Sequence, residues 1–425
     1  MTDAETAYLF RHALVQHAAY EMQLPSDRAR LHELAFHLIE QVLGGRAPEP
    51  APLDSADPPP WQPHPIDAVA FELAEHVRLA LAGSPDREVV AAQESCADSG
   101  VSPALHMLYL RRAAEHAEMS FHNDRAASLW QQLEVQCTGV ARGEVLRRAG
   151  ILAMHDGRTQ DAENHIEKAL SEHRAAGSRR FEGLTLANLG SLYQMTGRIE
   201  QAERTFDLAL VHLRDAGAGA RRFEGMALGS MALVYQQTGR LELAERSCSE
   251  ALAIHREVGN RRAEGIALSN LGGILQQAKR LEQAELRCSE ALAIHREVGN
   301  RRFEGMALGN LANVNGVSGR LEQAERMYEQ ALAIQREVGN RRAEGIDLGN
   351  LALNLQRTGS LRQAEITYDE ALAIHREVGN RRFEGFHLCK KGPMPPRHEA
   401  VGGSPRVLVH RGCFPAQAEG HRPDN

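Results

Sequence analysis

Aromatic side chains are scarce in this chain of 425 residues, at 5%, and only two are tryptophan. A core built almost without rings must draw on Leu, Ala, Ile and Val, the composition of packed helices. Six cysteines (Cys96, Cys137, Cys248, Cys288, Cys389 and Cys413) form no CxxC pair. That excludes the usual spacings of a disulfide framework and of a structural zinc site, and Cys248 and Cys288 read as small buried apolar residues. Eighteen consecutive apolar residues occur nowhere, and the opening MTDAETAYLF carries no basic leader before an apolar run. The reading is a cytoplasmic chain without a membrane partner. The formal net charge of -7 is the wrong sign for a chain held to phosphate backbones, which argues against nucleic acid as a partner. No GxxxxGK[ST] is present to cradle a nucleotide's phosphates, and no cofactor is implied.

What the chain has is repetition. CSEALAIHREVGNRR stands at Cys248 to Arg262 and again at Cys288 to Arg302. The motif RRxEG recurs at Arg221, Arg261, Arg301, Arg341 and Arg381, forty residues apart, with an earlier copy at Arg179. Between residues 261 and 300, Leu268, Leu271 and Leu275 recur at i, i+3, i+7, and Ala284, Cys288 and Ala291 at i, i+4, i+7. Each set is one apolar helical stripe. Between them, Gly239 and Gly319 in sister copies suit the left-handed residue just past a helix end, Gly259 offers the next stop, and Asn260 can cap the following helix. Each unit is therefore a helical hairpin. A hairpin striped on both helices cannot bury both alone, so neighbours must stack and share a core.

The series Leu268, Leu271, Gly272, Leu275, Ala284, Cys288, Ala291 resembles the tetratricopeptide repeat, which places large, large, small, large on its first helix and small, large, small on its second. Leu186, Leu189, Gly190, Tyr193, Ala202, Phe206, Ala209 form another copy, and Leu308, Leu311, Ala312, Asn315, Ala324, Tyr328, Ala331 a third. Small residues belong where the two helices cross. Weaker copies begin near Leu110 and Leu146, giving about seven units over residues 104–389. The forty-residue length resembles the longer variety seen in kinesin light chains and bacterial signalling proteins. This resemblance implies an all-α, right-handed α-solenoid that binds protein or extended peptide without catalysis.

The ends read differently. Residues 8–42 suggest two helices broken at Leu24 to Ser26, with Leu31, Leu34, Leu38 and Val42 as the stripe of the second. Phe10 to Gln16, followed by Ala19 and Tyr20, resembles the segment that follows the nucleotide-binding module in bacterial STAND-type signalling ATPases. That likeness implies association with an ATPase or kinase module, the chain being the distal, truncated part of such a protein, and it makes residues 1–43 a helical remnant. Residues 44–65 hold eight prolines in twenty-two positions and predict an extended, flexible linker. Residues 66–103 resume as a helical lead-in. From 390 to 425 no repeat pattern survives, and a disordered tail is expected.

Candidate chemistry is sparse. LHELAFHL places His32 and His37 five apart, about 140° round a helix, too far to share one metal ion. His255, His295 and His375 recur at one repeat position where residue 335 is Gln, and they read as solvated or boundary histidines. The arginine pairs (Arg261 with Arg262, Arg301 with Arg302, Arg341 with Arg342) stand beside Glu257, Glu264 or their equivalents, and local ion pairing that orients successive units is preferred over a phosphate stripe. No catalytic constellation can be singled out. Asn188, Asn270, Asn310 and Asn350 precede the central Leu of the first helix, and Gln194, Gln236, Gln276 and Gln356 follow five residues after that Leu position. The resemblance to the kinesin-light-chain type implies that first helices line a concave face where such amides grip a peptide backbone, since an amide donates and accepts at once. The alternative is that they bond neighbouring helices.

Overall fold

The computed structural model describes residues 20, 22–55, 61–82, 100–120 and 122–392. Among them are seventeen α-helices, two short 3-10 turns and no strand. We label the helices α1 Pro25–Val42, α2 Ala70–Ala82, α3 Pro103–Met119, α4 Asn123–Glu134, α5 Gly139–His155, α6 Thr159–Ala175, α7 Arg179–Met195, α8 Ile199–Asp215 and α9 Arg221–Gln237. The series continues with α10 Leu241–Glu257, α11 Arg261–Gln277, α12 Leu281–Glu297, α13 Arg301–Val317, α14 Leu321–Glu337, α15 Arg341–Arg357, α16 Leu361–Glu377 and α17 Arg381–Lys391. From α3 onward these pair into seven antiparallel hairpins, stacked into a right-handed α-solenoid, with α17 as an unpaired last first helix.

The repeat unit is set by its helix ends. Each helix from α5 to α16 runs 17 residues, about 25 Å. Gly239 (φ 77°), Gly259 (φ 66°) and Gly319 (φ 83°) take the left-handed conformation just past a helix, as their spacing predicts. Lys279 stands where sister units have glycine and is forced to φ 62°, the one non-glycine with positive φ among the described residues. Its amide bonds to the Gln276 carbonyl and that of Arg280 to Leu275, so the helix-ending hydrogen bonds form despite the side chain. Asn260 caps α11, accepting from the Ala263 amide at 3.2 Å.

Between helices of one hairpin, small residues allow close approach. A methyl group placed on Gly272 would lie 2.4 Å from Cys288 Sγ. Ala284, Cys288 and Ala291 are fully buried, as is the equivalent Ala244, Cys248 and Ala251 set. Burial pushes the Cys248 and Cys288 thiols up to about 12, so both behave as apolar filler.

Two expectations need correction here. The expected stripe of α1 faces outward: Leu31, Leu34, Leu38 and Val42 are exposed, Val42 by 80%. The buried side carries Ala29, Phe36 and Glu40, because Phe36 packs edge-on against Tyr109 of α3, ring centroids 5.6 Å apart. The described part of the proline-rich stretch is not free. Ala47 is buried, and the main-chain carbonyls of Pro48, Ala51, Asp54, Ser55 and Gln62 all accept hydrogen bonds from arginines of the helical array. Guanidinium groups hold it where composition alone predicts mobility. Residues 8–19 and 21 of the expected first N-terminal helix, residues 83–99 of the lead-in and residues 393–425 of the expected tail lie outside the described residues.

Candidate groove and the arginines that line it

Curvature decides which helices face a ligand. Successive first helices (α7 with α9, α9 with α11, α11 with α13, α13 with α15) touch one another, and successive second helices make no comparable contact. The first helices therefore form the inner wall. With about 100° per residue, Arg262, Ile266, Asn270 and Gly273 of α11 fall within roughly 80° of one another and make its solvent-facing strip. Asn270, Asn310 and Asn350 are half-buried and make no side-chain hydrogen bond to a described residue. Asn188 differs, accepting from Arg147 of α5 at 2.9 Å.

The glutamines are six residues further along, about 120° round the helix, so they flank this strip on its other edge. Gln194, Gln236 and Gln276 are half-buried and make no side-chain hydrogen bond to a described residue. Gln236 lies in the seam between first helices, its Nε2 3.7 Å from where a methyl on Gly273 of α11 would sit. Gln356 accepts a long bond from the Tyr368 hydroxyl at 3.4 Å. The two rows are thus not one continuous patch. They border the strip, with Ser230 and Gly316 interrupting them.

The arginine pairs divide their labour. Arg261 donates to Glu264 at 2.7 Å and to Glu297 of its own hairpin at 2.6 Å, while Arg256 of the preceding hairpin donates to Glu264 at 2.8 Å. The same set recurs around Arg221, Arg301 and Arg341. Burial pushes the Glu264 carboxyl up, and the hydrogen bonds from Arg256 and Arg261 outweigh it and hold the group below the usual range. The carboxylate expected beside Arg261 at Glu257 belongs instead to Arg221. Among the second arginines, Arg262 and Arg342 make no ion pair with a described residue, and Arg180 stacks on Phe181 at 4.5 Å while donating to the Asp54 and Ser55 carbonyls.

The row of second arginines is what sequence reasoning missed, yet a signal was available. Arg261 has Glu264 at i+3, the helical pairing distance, whereas Arg262 has Gly265 at i+3 and Ile266 at i+4. The helix gives it no local carboxylate.

The recurrent histidines are corrected too. His255 is 3% exposed, and His295 and His375 are fully buried, as is Gln335 at the same position. Each ring fills the space left by the glycine of the RRxEG motif: a methyl on Gly265 would lie 2.6 Å from His295 Cε1. That packing explains the motif's glycine at 225, 265 and 345. Burial lowers the pKa of His255, His295 and His375 and keeps the rings neutral. His32 hydrogen-bonds His76 at 2.8 Å, and among the described residues no group of three or more His, Cys, Asp or Glu is placed to hold a metal.

Across the inner space lies a cavity of about 770 Å³. One side is Pro48 to Ala51, Trp61 and Arg111, Arg112 and Arg148; the other is Arg262, Asn300 and Arg302. The array thus curves far enough for its sixth hairpin to face its first.

A family model of the tetratricopeptide repeat matches residues 142–213, 223–297 and 303–377, more than half of the chain. The chain belongs to the tetratricopeptide repeat family. It is 37% identical over 65 residues to the regulatory protein AfsR of Streptomyces griseus, a match that spans 15% of this chain and 7% of that protein. Among solved structures it resembles a Rap protein complexed with competence and sporulation factor, at TM-score 0.52, 13% identity, 76% of this chain and 95% of that one. It also resembles the Rap conjugation gene regulator of plasmid pLS20 in complex with the Phr* peptide, at TM-score 0.54, 14% identity, 86% of this chain and 99% of that one. No described helix is long and apolar enough to cross a membrane.

Proposed function

We propose that this chain is a non-catalytic scaffold whose groove takes an extended segment of a partner protein, in the cytoplasm, as the sensing or interaction arm of a bacterial signalling system. The observation that carries it is a row of available amides on the inner wall: Asn270, Asn310 and Asn350 stand one repeat apart, half-buried, without a side-chain hydrogen bond to a described residue. A repeated amide at the helix-hairpin spacing suits a repeated ligand, and a main chain is the repeating ligand a protein offers. Of the two Rap structures, one is a complex with competence and sporulation factor and the other a complex with the Phr* peptide, which supports the reading by fold analogy. Selection of extended peptides from a random displayed library on the full chain tests it. Selected peptides should bind the Asn270→Ala, Asn310→Ala, Asn350→Ala variant at least tenfold more weakly, and equal affinity would remove these residues from the site.

A second reading is that the chain works only attached to an ATPase or kinase module; its support is that the 65 matched residues make up 7% of a longer regulatory protein, so repeats like these occur there as one segment of a larger chain. Co-purification with such a module from cells expressing both would support it.

A further inference from the structure

Sequence and structure disagree most at residues 47–55 and 61–62. Five main-chain carbonyls of this stretch are held by three arginines: Arg112 bonds Pro48 at 2.8 Å and Gln62 at 3.0 Å, Arg180 bonds Asp54 at 2.9 Å and Ser55 at 3.0 Å, and Arg111 bonds Ala51. Arg180 reaches back some 125 residues in sequence to do so. Proline at 48, 50 and 52 removes main-chain donors and favours an extended chain whose carbonyls point outward, so guanidinium is the fitting reader. Between Arg46 and His64 the sequence has three carboxylates and no Lys or Arg. The cavity beside it is lined by Arg111, Arg112, Arg148, Arg262, Arg301 and Arg302 against Glu49, Glu115 and Glu118. Segment and wall are complementary in charge as well as in hydrogen bonding.

We infer that residues 47–55 act as a built-in occupant of the groove, and that the partner it stands in for is an extended, proline-punctuated acidic segment read through its carbonyls by Arg180 together with Arg111 and Arg112. The inference rests on the groove reading and adds to it the ligand's chemistry and a competitor in the same chain. A free acidic segment must displace the strap before it reaches Arg180, so the intact chain binds more weakly than one whose strap has been neutralised.

The test uses the full chain and a fluorescein-labelled synthetic peptide with the sequence of residues 46–64. In one variant, Glu49 to Ser55 are replaced by Gly-Ser residues of equal number, leaving in place Pro48 and Gln62, which serve the buried Arg112. By fluorescence anisotropy this variant should bind the peptide at least tenfold more tightly than the intact chain. Adding Arg180→Ala should weaken that binding at least fivefold, and so should lysines in place of Glu49 and Asp54 in the peptide. Equal affinity for both chains, or no binding to the strap-replaced chain, overturns the inference. A second measurement avoids strap replacement: in Arg180→Ala alone, amide hydrogen exchange at Leu53, Asp54 and Ser55 should accelerate, and unchanged exchange counts against it. Peptides selected from the random library separate the two readings. If they bind both chains equally, the groove stands and the strap falls; if none is selected while the strap peptide binds, the strap stands without the general groove.

Discussion

In the N-terminal region, Arg112 of α3 meets Asp67 at 2.7 Å across 45 positions, both groups almost wholly buried, and Tyr109 donates to Glu40 across 69. In the array from Arg221 to Asn380, ion pairs recur at separations of three, eight and about thirty-six, unit after unit. The first region is held by unique polar contacts that nothing else can replace. The second is a series of equivalent nearest-neighbour contacts, each bordering only the next. Damage should therefore spread in the one and stay local in the other.

The largest effect is expected from Asp67→Ala. It leaves the Arg112 guanidinium buried and short of its counter-charge, a loss of about 3–5 kcal/mol. Both tryptophans, Trp61 and Trp130, lie in the N-terminal part, so their fluorescence reports that region while far-UV circular dichroism reports mainly the array. In urea the fluorescence midpoint should fall well before the dichroism midpoint. Equal shifts of both probes would show that the two regions unfold as one.

Within the array, position decides the outcome of an identical change. Gly265→Ala drives a methyl to 2.6 Å from His295 and should cost about 1–3 kcal/mol by overpacking. Gly385 occupies the same motif position in α17 but has nothing within 4 Å of a methyl. There alanine should stabilise by up to about 1 kcal/mol through helix propensity. Thermal denaturation of the two variants decides between packing and backbone conformation as the reason for glycine.

Acid should weaken the array through its buried histidines. Their pKa values are lower in the fold than in the unfolded chain, so the stability they contribute is complete above about pH 6.5 and is lost as pH falls below it, where the unfolded chain binds more protons. For His295, burial is the leading cause; Arg262 lowers the pKa further, while Glu304 and the Gly265 backbone raise it. The Phe303 ring packs against it at 5.5 Å. Gln335 shows which uncharged residue the site accepts. His295→Gln should fold and show a shallower fall of Tm between pH 7 and 5 than the unmodified chain; an unchanged slope would place the sensitivity elsewhere.

The solenoid was legible because repeat length, helix stops and small crossing residues are all local signals with a fixed period. The burial of the histidines could have been read as well. Ala244, Cys248, Ala251 and His255 run i, i+4, i+7, i+11, so the imidazole continues the stripe that hides the cysteine. Reading it as solvated or at the boundary followed residue type over position. The exposed face of α1 was not recoverable from its own sequence, since Phe36, Ile39 and Leu43 compete with Leu31, Leu34 and Leu38 for the core, and only Tyr109, far along the chain, decides. For the site, the asparagine row was visible as a repeat. The strap was not, because its hydrogen bonds use main-chain carbonyls, which every residue has, and partners up to 126 positions away.

The smallest effect separates two nearly identical units. Lys279 holds the left-handed conformation that glycine holds at 239 and 319, and for an L-residue with a side chain this conformation costs about 1–2 kcal/mol. Glycine there removes that strain but frees the unfolded chain, which offsets part of the gain. Lys279→Gly should therefore raise stability by about 0.5–1 kcal/mol, read as a small upward shift of the urea midpoint with an unchanged m-value. Because the hydrogen bonds from Lys279 and Arg280 back to Gln276 and Leu275 already form, the substitution has no new bond to add. A drop in stability would mean that the lysine side chain makes a favourable surface contact stronger than the backbone strain, and the equivalence of the units would then fail at this turn.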